Sequence, residues 1–142
     1  MTPPVGKPHV KTITVGPADI DALGHVSNVK ILDWANEAAI EHSEVLGFDV
    51  PRYMQIGGMF VVRRHEIDYL ASAYEGDRLT LFTWPSAHKR TTAKRRHEIY
   101  RNGDGVLIAK VLNTWVFVDT ETGRPKRMPP EIVEAFDPAN FL

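Results

Sequence analysis

Val29-Lys30-Ile31-Leu32-Asp33-Trp34-Ala35-Asn36-Glu37-Ala38-Ala39-Ile40-Glu41-His42-Ser43-Glu44-Val45-Leu46 is the stretch on which the fold turns. Ile31, Trp34, Ala35, Ala38, Ala39, Val45 and Leu46 recur at the three-to-four spacing that lines one face of a helix, while Asp33, Glu37, Glu41 and Glu44 mark another. Ser27 or Asn28 can cap its start, and Gly47 can end it. The pattern predicts one long helix over about 29–46.

Outward from this helix the chain reads as strands. Before it, His9 to Val15 alternates loosely and suits a short strand, stopped by Gly16-Pro17. After it, 47–58 reads as a connector with Pro51 and a Gly57-Gly58 pair. Four strands then follow, over 59–70, 78–84, 91–101 and 106–118, the last two joined by the turn signal Asn102-Gly103-Asp104-Gly105. A short tail helix is expected over Pro130 to Phe136. One dominant helix with five strands on short connections implies an α+β domain with an antiparallel sheet, since parallel pairing would need crossover helices for which 59–118 has no room.

The 142 residues suffice for one hydrophobic core and are too few for two, so a single domain over 1–142 is expected, with 1–8 as a flexible Pro-rich tail. There are no cysteines, which removes disulfides, thiolate metal sites and a cysteine nucleophile. A net charge of −1 gives no global pull toward nucleic acid or anionic membrane, so neither is expected as a partner. No apolar run approaches a signal core or a membrane span, and the expected location is cytoplasmic. The five residues Arg63-Arg64-His65-Glu66-Ile67 recur as Arg95-Arg96-His97-Glu98-Ile99, read here as two amphipathic strands with charged outer faces. Among the six histidines there is no His-Glu-x-x-His, and neither Gly-x-Ser-x-Gly nor a dinucleotide fingerprint occurs.

The chemistry concentrates in Asp19-Ile20-Asp21-Ala22-Leu23-Gly24-His25-Val26-Ser27-Asn28, just ahead of the helix. Taken alone, Asp21 in such a loop is more simply a turn or capping residue. The run resembles the Asp-x-Asp-x-x-Gly-His-Val-x-Asn signature of the 4-hydroxybenzoyl-CoA thioesterase and YbgC-like branch of the hotdog superfamily, with Trp34 as the aromatic residue of the following helix. Ile67-Asp68-Tyr69-Leu70, Gly76-Asp77-Arg78-Leu79 and Glu98-Ile99-Tyr100-Arg101 extend the resemblance over about 10–127. His25-Val26-Ser27-Asn28-Val29-Lys30 is also similar to plant-type acyl-carrier-protein thioesterases, which share Asp21 and His25 but carry Asn where this chain has Leu23.

The resemblance implies a hotdog fold, a five-stranded sheet wrapped round the helix, and hydrolysis of an acyl-CoA thioester without metal or cofactor. Asp21 would be nucleophile or general base, with His25 orienting it or touching substrate. Backbone N–H groups around Val26, Ser27 and Asn28 would receive the thioester oxygen, and Gly24 would be a further substrate contact. A thiolate leaves readily, so no strong general acid is required. Asp19 reads as a loop brace, Asn28 as a cap or brace that also shapes the pocket, and Glu37 as a solvated or subunit-facing side chain. Lys89 and Arg90, with Lys94 to Arg96, offer charge for the phosphates of CoA, and Ser86 and Thr91 further polar contacts; the plainer reading is a solvated strand face. Relatives pair sheets edge to edge, so a dimer or tetramer is expected. An acyl-carrier-protein thioesterase, a hotdog dehydratase and a non-catalytic acyl-CoA binder remain as alternatives.

Overall fold

A computed structural model describes residues 6–142; the first five residues of the expected tail lie outside the described residues. Its central element is α1, Asn28–Val45. The Ser27 side chain accepts the Val29 N–H at 3.3 Å, and Ser27 is extended while Asn28 is already helical, so Ser27 is the cap. At the other end Gly47, with φ +95°, turns the chain out and returns its N–H to the Glu44 carbonyl at 2.9 Å. The stripe Ile31, Trp34, Ala35, Ala38 and Ala39 is buried as its spacing dictates; Val45 faces solvent instead, and His42 joins the buried face.

Against α1 lies one antiparallel sheet of β1 (His9–Thr14), β2 (Gly58–Tyr69), β3 (Arg78–His88), β4 (Thr92–Arg101) and β5 (Leu107–Asp119). Their order is β1-β3-β4-β5-β2, which makes β1 and β2 the edges. The α+β hotdog architecture expected from the sequence is the one observed. Two elements depart from expectation. The connector holds a helix, α2 (Val50–Ile56), started by the Asp49 side chain accepting the Arg52 N–H at 2.9 Å, with proline in its first turn. Seven residues are too few to display a helical period. In addition β3 runs past Pro85 to His88, because the register shifts between Pro85 and Ala87, and a bulge accommodates a residue without an N–H. The tail helix α3 spans Pro130–Ala135. No helix among the described residues is long and apolar enough to cross a membrane.

The core has two apolar clusters. One joins Val26, Ile31, Trp34 and Ala35 to Leu79, Leu81, Ile99 and Val111; the other gathers Phe48, Tyr53, Phe117, Met128 and Ile132. On the inner face of the sheet the buried polar side chains Thr83, Arg95, His97 and Asn113 stand together with His42 of α1. The charged outer face read for the Arg-Arg-His-Glu-Ile strands is present on β4 in exposed Lys94 and Arg96, but the inner face is not apolar throughout: Arg95 and His97 are buried beside Ile99. A strand's period of two puts alternate residues on opposite faces, and here the inward set includes two basic side chains.

Candidate active site

The loop between β1 and α1 is a small, closed structure. Ile20 and Val26 form an antiparallel bridge, Asp21 N–H donates to the His25 carbonyl at 2.9 Å, and Gly24 N–H to the Asp21 carbonyl at 3.1 Å. Gly24 takes φ +85°, a conformation that disfavours side chains and explains a glycine there. Asp19 braces the base: its carboxylate accepts the Gly16 N–H at 2.9 Å and lies 3.3 Å from Lys30 Nζ, while its carbonyl accepts the Ser27 N–H at 2.9 Å. Buried Val26 fixes the loop to the connection between β2 and β3 through its N–H to the Ala73 carbonyl at 2.8 Å.

This frame brings Asp21 and His25 together at the tip. One carboxylate oxygen of Asp21 accepts the Leu23 N–H at 2.9 Å; the other is 3.6 Å from His25 Nδ1. Both side chains are about one-third exposed, at 31%, so solvent reaches them. Of the three expected oxyanion donors, Val26 and Ser27 spend their N–H groups on the carbonyls of Ala73 and Asp19. The Asn28 N–H, at the positive end of α1, has no acceptor among the described residues. Tyr69 at the end of β2 donates to the Asn28 carbonyl at 3.3 Å, tying an edge strand to the helix start.

Lys89 and Arg90 form the exposed β3–β4 turn, where Lys89 N–H donates to the Thr92 carbonyl and the Arg90 carbonyl accepts the Met128 N–H. Arg95 does not belong to their patch, since it points into the core. Within one copy the turn and Asp21 lie at opposite ends of the sheet: the Asp21 loop is anchored near the start of β3, and the turn follows its end. Eleven residues of β3 span about 35 Å at the usual rise per strand residue.

Comparison with known proteins assigns this arrangement to a family. The model of the thioesterase-like superfamily matches residues 15–136, which takes in the Asp21 loop, α1 and all but the first strand. The chain belongs to the thioesterase-like superfamily. On that membership it is a thioester hydrolase. No curated protein matches the chain by sequence. Solved structures share its fold. The 1,4-dihydroxy-2-naphthoyl-CoA thioesterase Slr0204 of Synechocystis is 19% identical with a TM-score of 0.82, covering 90% of this chain and 94% of that one. A predicted thioesterase of Bacillus stearothermophilus is 26% identical, TM-score 0.78, covering 89% and 92%. SAV2348 of Staphylococcus aureus, in complex with CoA, is 13% identical, TM-score 0.84, covering 97% and 89%.

This member of the thioesterase-like superfamily also has a cavity of about 280 Å³ between the second half of α1, α2, the start of β2 and the inner face of β4 and β5. Ser43, Tyr53, Phe60, Arg95 and Trp115 are among its walls. Sequence reasoning missed it. The one available signal was His42, a polar residue on the helix face that packs inward.

Proposed function

We propose that the protein is an acyl-CoA thioesterase in which the Asp21 carboxylate carries the hydrolysis. The observation that supports this most is the Asp21–His25 pair, held at a solvent-reached loop tip directly before α1. The carboxylate acts either by adding to the thioester carbonyl or by taking a proton from the water that adds. His25 keeps the carboxylate oriented. The carbonyl oxygen, as it becomes an oxyanion, lies against the Asn28 N–H and the helix dipole. Collapse of the tetrahedral intermediate breaks the C–S bond, and the thiolate leaves without a strong acid; on the first route the mixed anhydride left on Asp21 is then hydrolysed by water, which frees the acid and restores the carboxylate. Lys89 and Arg90 hold the phosphates of CoA, the carrier seen bound to SAV2348.

The same reading requires a second copy. Asp21 precedes α1 and the cavity begins at Ala39, so the helix alone sets them roughly 18–26 Å apart. Antiparallel pairing of two β2 edges across a dyad would place the start of one β2, with the cavity, beside the end of the other, with Tyr69 and the Asp21 loop. Exposed Leu23, Val29, Tyr69 and Leu70 supply apolar surface on that side for a partner to cover.

Release of free thiol from a panel of short, long and aromatic acyl-CoAs tests the activity. Asp21→Asn keeps the oxygen that accepts the Leu23 N–H, so the melting temperature should hardly move, while turnover falls at least ~100-fold, about 2.7 kcal/mol of barrier. Unaltered turnover in that variant would refute the role of Asp21. Thiol release from acyl-carrier protein alone would reassign the carrier, and binding without release would make the protein a non-catalytic module.

A further inference from the structure

Arg95 is buried to 6% exposure, yet every partner it has is neutral. One guanidinium nitrogen donates to His42 Nδ1 at 2.9 Å and to Thr83 Oγ1 at 3.0 Å, and no carboxylate among the described residues pairs with it. Buried cations are costly to keep in apolar surroundings and are ordinarily matched by an anion. Arg95 instead lines the cavity, whose other walls include the rings of Phe48, Phe60 and Phe136. Trp115, another wall residue, has a buried indole N–H without an acceptor.

The two acidic residues that border the cavity do not supply the missing charge. Glu44 and Asp49 are both exposed, and Asp49 is engaged in capping α2. Tyr53 stays a neutral phenol, its pKa raised by burial, and its hydroxyl is spent on Ser43 at 2.6 Å. Burial lowers the Arg95 pKa to about 10, still well above neutrality, so the guanidinium remains charged. Burial, and then Arg95 itself, push His42 down to about 3, which leaves Nδ1 free to accept and Arg95 in possession of its protons.

We infer that this cavity receives the free carboxylate at the far end of an acyl chain, with Arg95 as its counter-ion, so that the preferred substrates are ω-carboxyacyl thioesters. The assignment of an acyl thioester rests on the proposed function; the assignment of a carboxylate rests on the cavity alone. The hydrocarbon of the chain lies against the aromatic wall, and the carboxylate meets a guanidinium that the fold has already desolvated. Only the carboxylate has still to shed its water, and the charge-assisted pairing offsets that cost.

Two measurements separate the assignments. Glutaryl-CoA and pentanoyl-CoA have chains of equal length and differ in the terminal carboxylate. Wild type should favour glutaryl-CoA in kcat/KM by at least ~10-fold, and Arg95→Met should lower that ratio by at least ~10-fold, with Arg95→Lys restoring part of it. A preference for pentanoyl-CoA, or a ratio unchanged in Arg95→Met, would overturn the inference. Because Arg95→Met could fail to fold, calorimetric titration of the wild-type protein decides independently: free pentanoate should bind, and pentanamide should bind at least ~10-fold more weakly. Equal affinity for the two, no binding of pentanoate, or tighter binding of the neutral phenol p-cresol would each overturn it. Pentanoate binding without turnover of any thioester would sustain the cavity assignment and overturn the thioesterase reading instead.

Discussion

Asp21 and Arg95 mark the two extremes of what a residue's neighbours in sequence reveal. The geometry around Asp21 was legible because it depends on a contiguous loop, where Gly24, His25 and Ser27 supply turn, partner and cap within a few positions. Arg95 and His97 were not, because their surroundings come from β3, β5 and α1, and a charged strand residue is ordinarily an outward one. Their burial has a consequence for stability. Desolvation first, and Arg95 second, push His97 down to about 3, and the same causes, with His9 added, do so for His42; His65, across Asn113 from His97, is lowered as well. Between about 3 and the ordinary histidine value of 6.5, the unfolded chain binds protons that the folded chain refuses, so stability falls as pH falls through that window. Each histidine contributes a slope of up to ~1.4 kcal/mol per pH unit there. Calorimetric melting from pH 7.5 to 5 should therefore show a declining Tm. His97→Gln, which keeps a donor toward Asn113, should decline less steeply. A Tm flat across this range in wild type would contradict the burial of neutral histidines.

At the scale of elements, the sequence disclosed those whose signal is long and periodic. Eighteen residues of α1 and the strands flanking the Asn102–Gly105 turn are of this kind, with ends displaced by a residue or so. The seven-residue α2 and the far end of β3 escaped, the first for want of length and the second because Pro85 reads as a stop unless a bulge absorbs it. That extension bears on the proposed function, since it carries the Lys89–Arg90 turn beyond the cavity walls Pro85 and Lys94. If the turn holds the nucleotide of CoA, replacing both residues with alanine removes binding that is equal in ground and transition states. KM for acyl-CoA should rise several-fold, more at low than at high ionic strength, with kcat nearly unchanged. An acyl-pantetheine substrate, which lacks the nucleotide, should be cleaved by both proteins with similar KM. Equal loss on the two substrates would assign the turn to folding or assembly.

For the whole molecule, the order of elements implied an antiparallel α+β domain and the resemblance of the Asp21 loop implied the hotdog architecture, but no sequence pattern says which sheet edge meets another copy. The structure narrows the choice. Of the two edges, β1 has six residues and β2 twelve, with Val61 and Val62 46% and 41% exposed, and a long unpaired edge is a template for pairing. Light scattering should give a dimer or a larger even assembly, and a fully active monomer would contradict the reading. Whether the site is shared between copies is tested more sharply by mixing variants that are each defective in one half. Asp21→Asn removes the carboxylate; Ile40→Trp, at a cavity-lining position that is 56% exposed, plugs the mouth with little effect on the core. In a dimer of one copy of each, the site that combines Asp21 of the plugged copy with the cavity of the Asp21→Asn copy is intact, and the other is doubly defective. Random reassortment of equal amounts makes half of the dimers mixed, so about a quarter of wild-type activity should return from two nearly inactive preparations. If carboxylate and cavity belonged to one chain, every site in the mixture would keep one defect. No activity would return, and the β2 pairing would have to be given up as the basis of the active site.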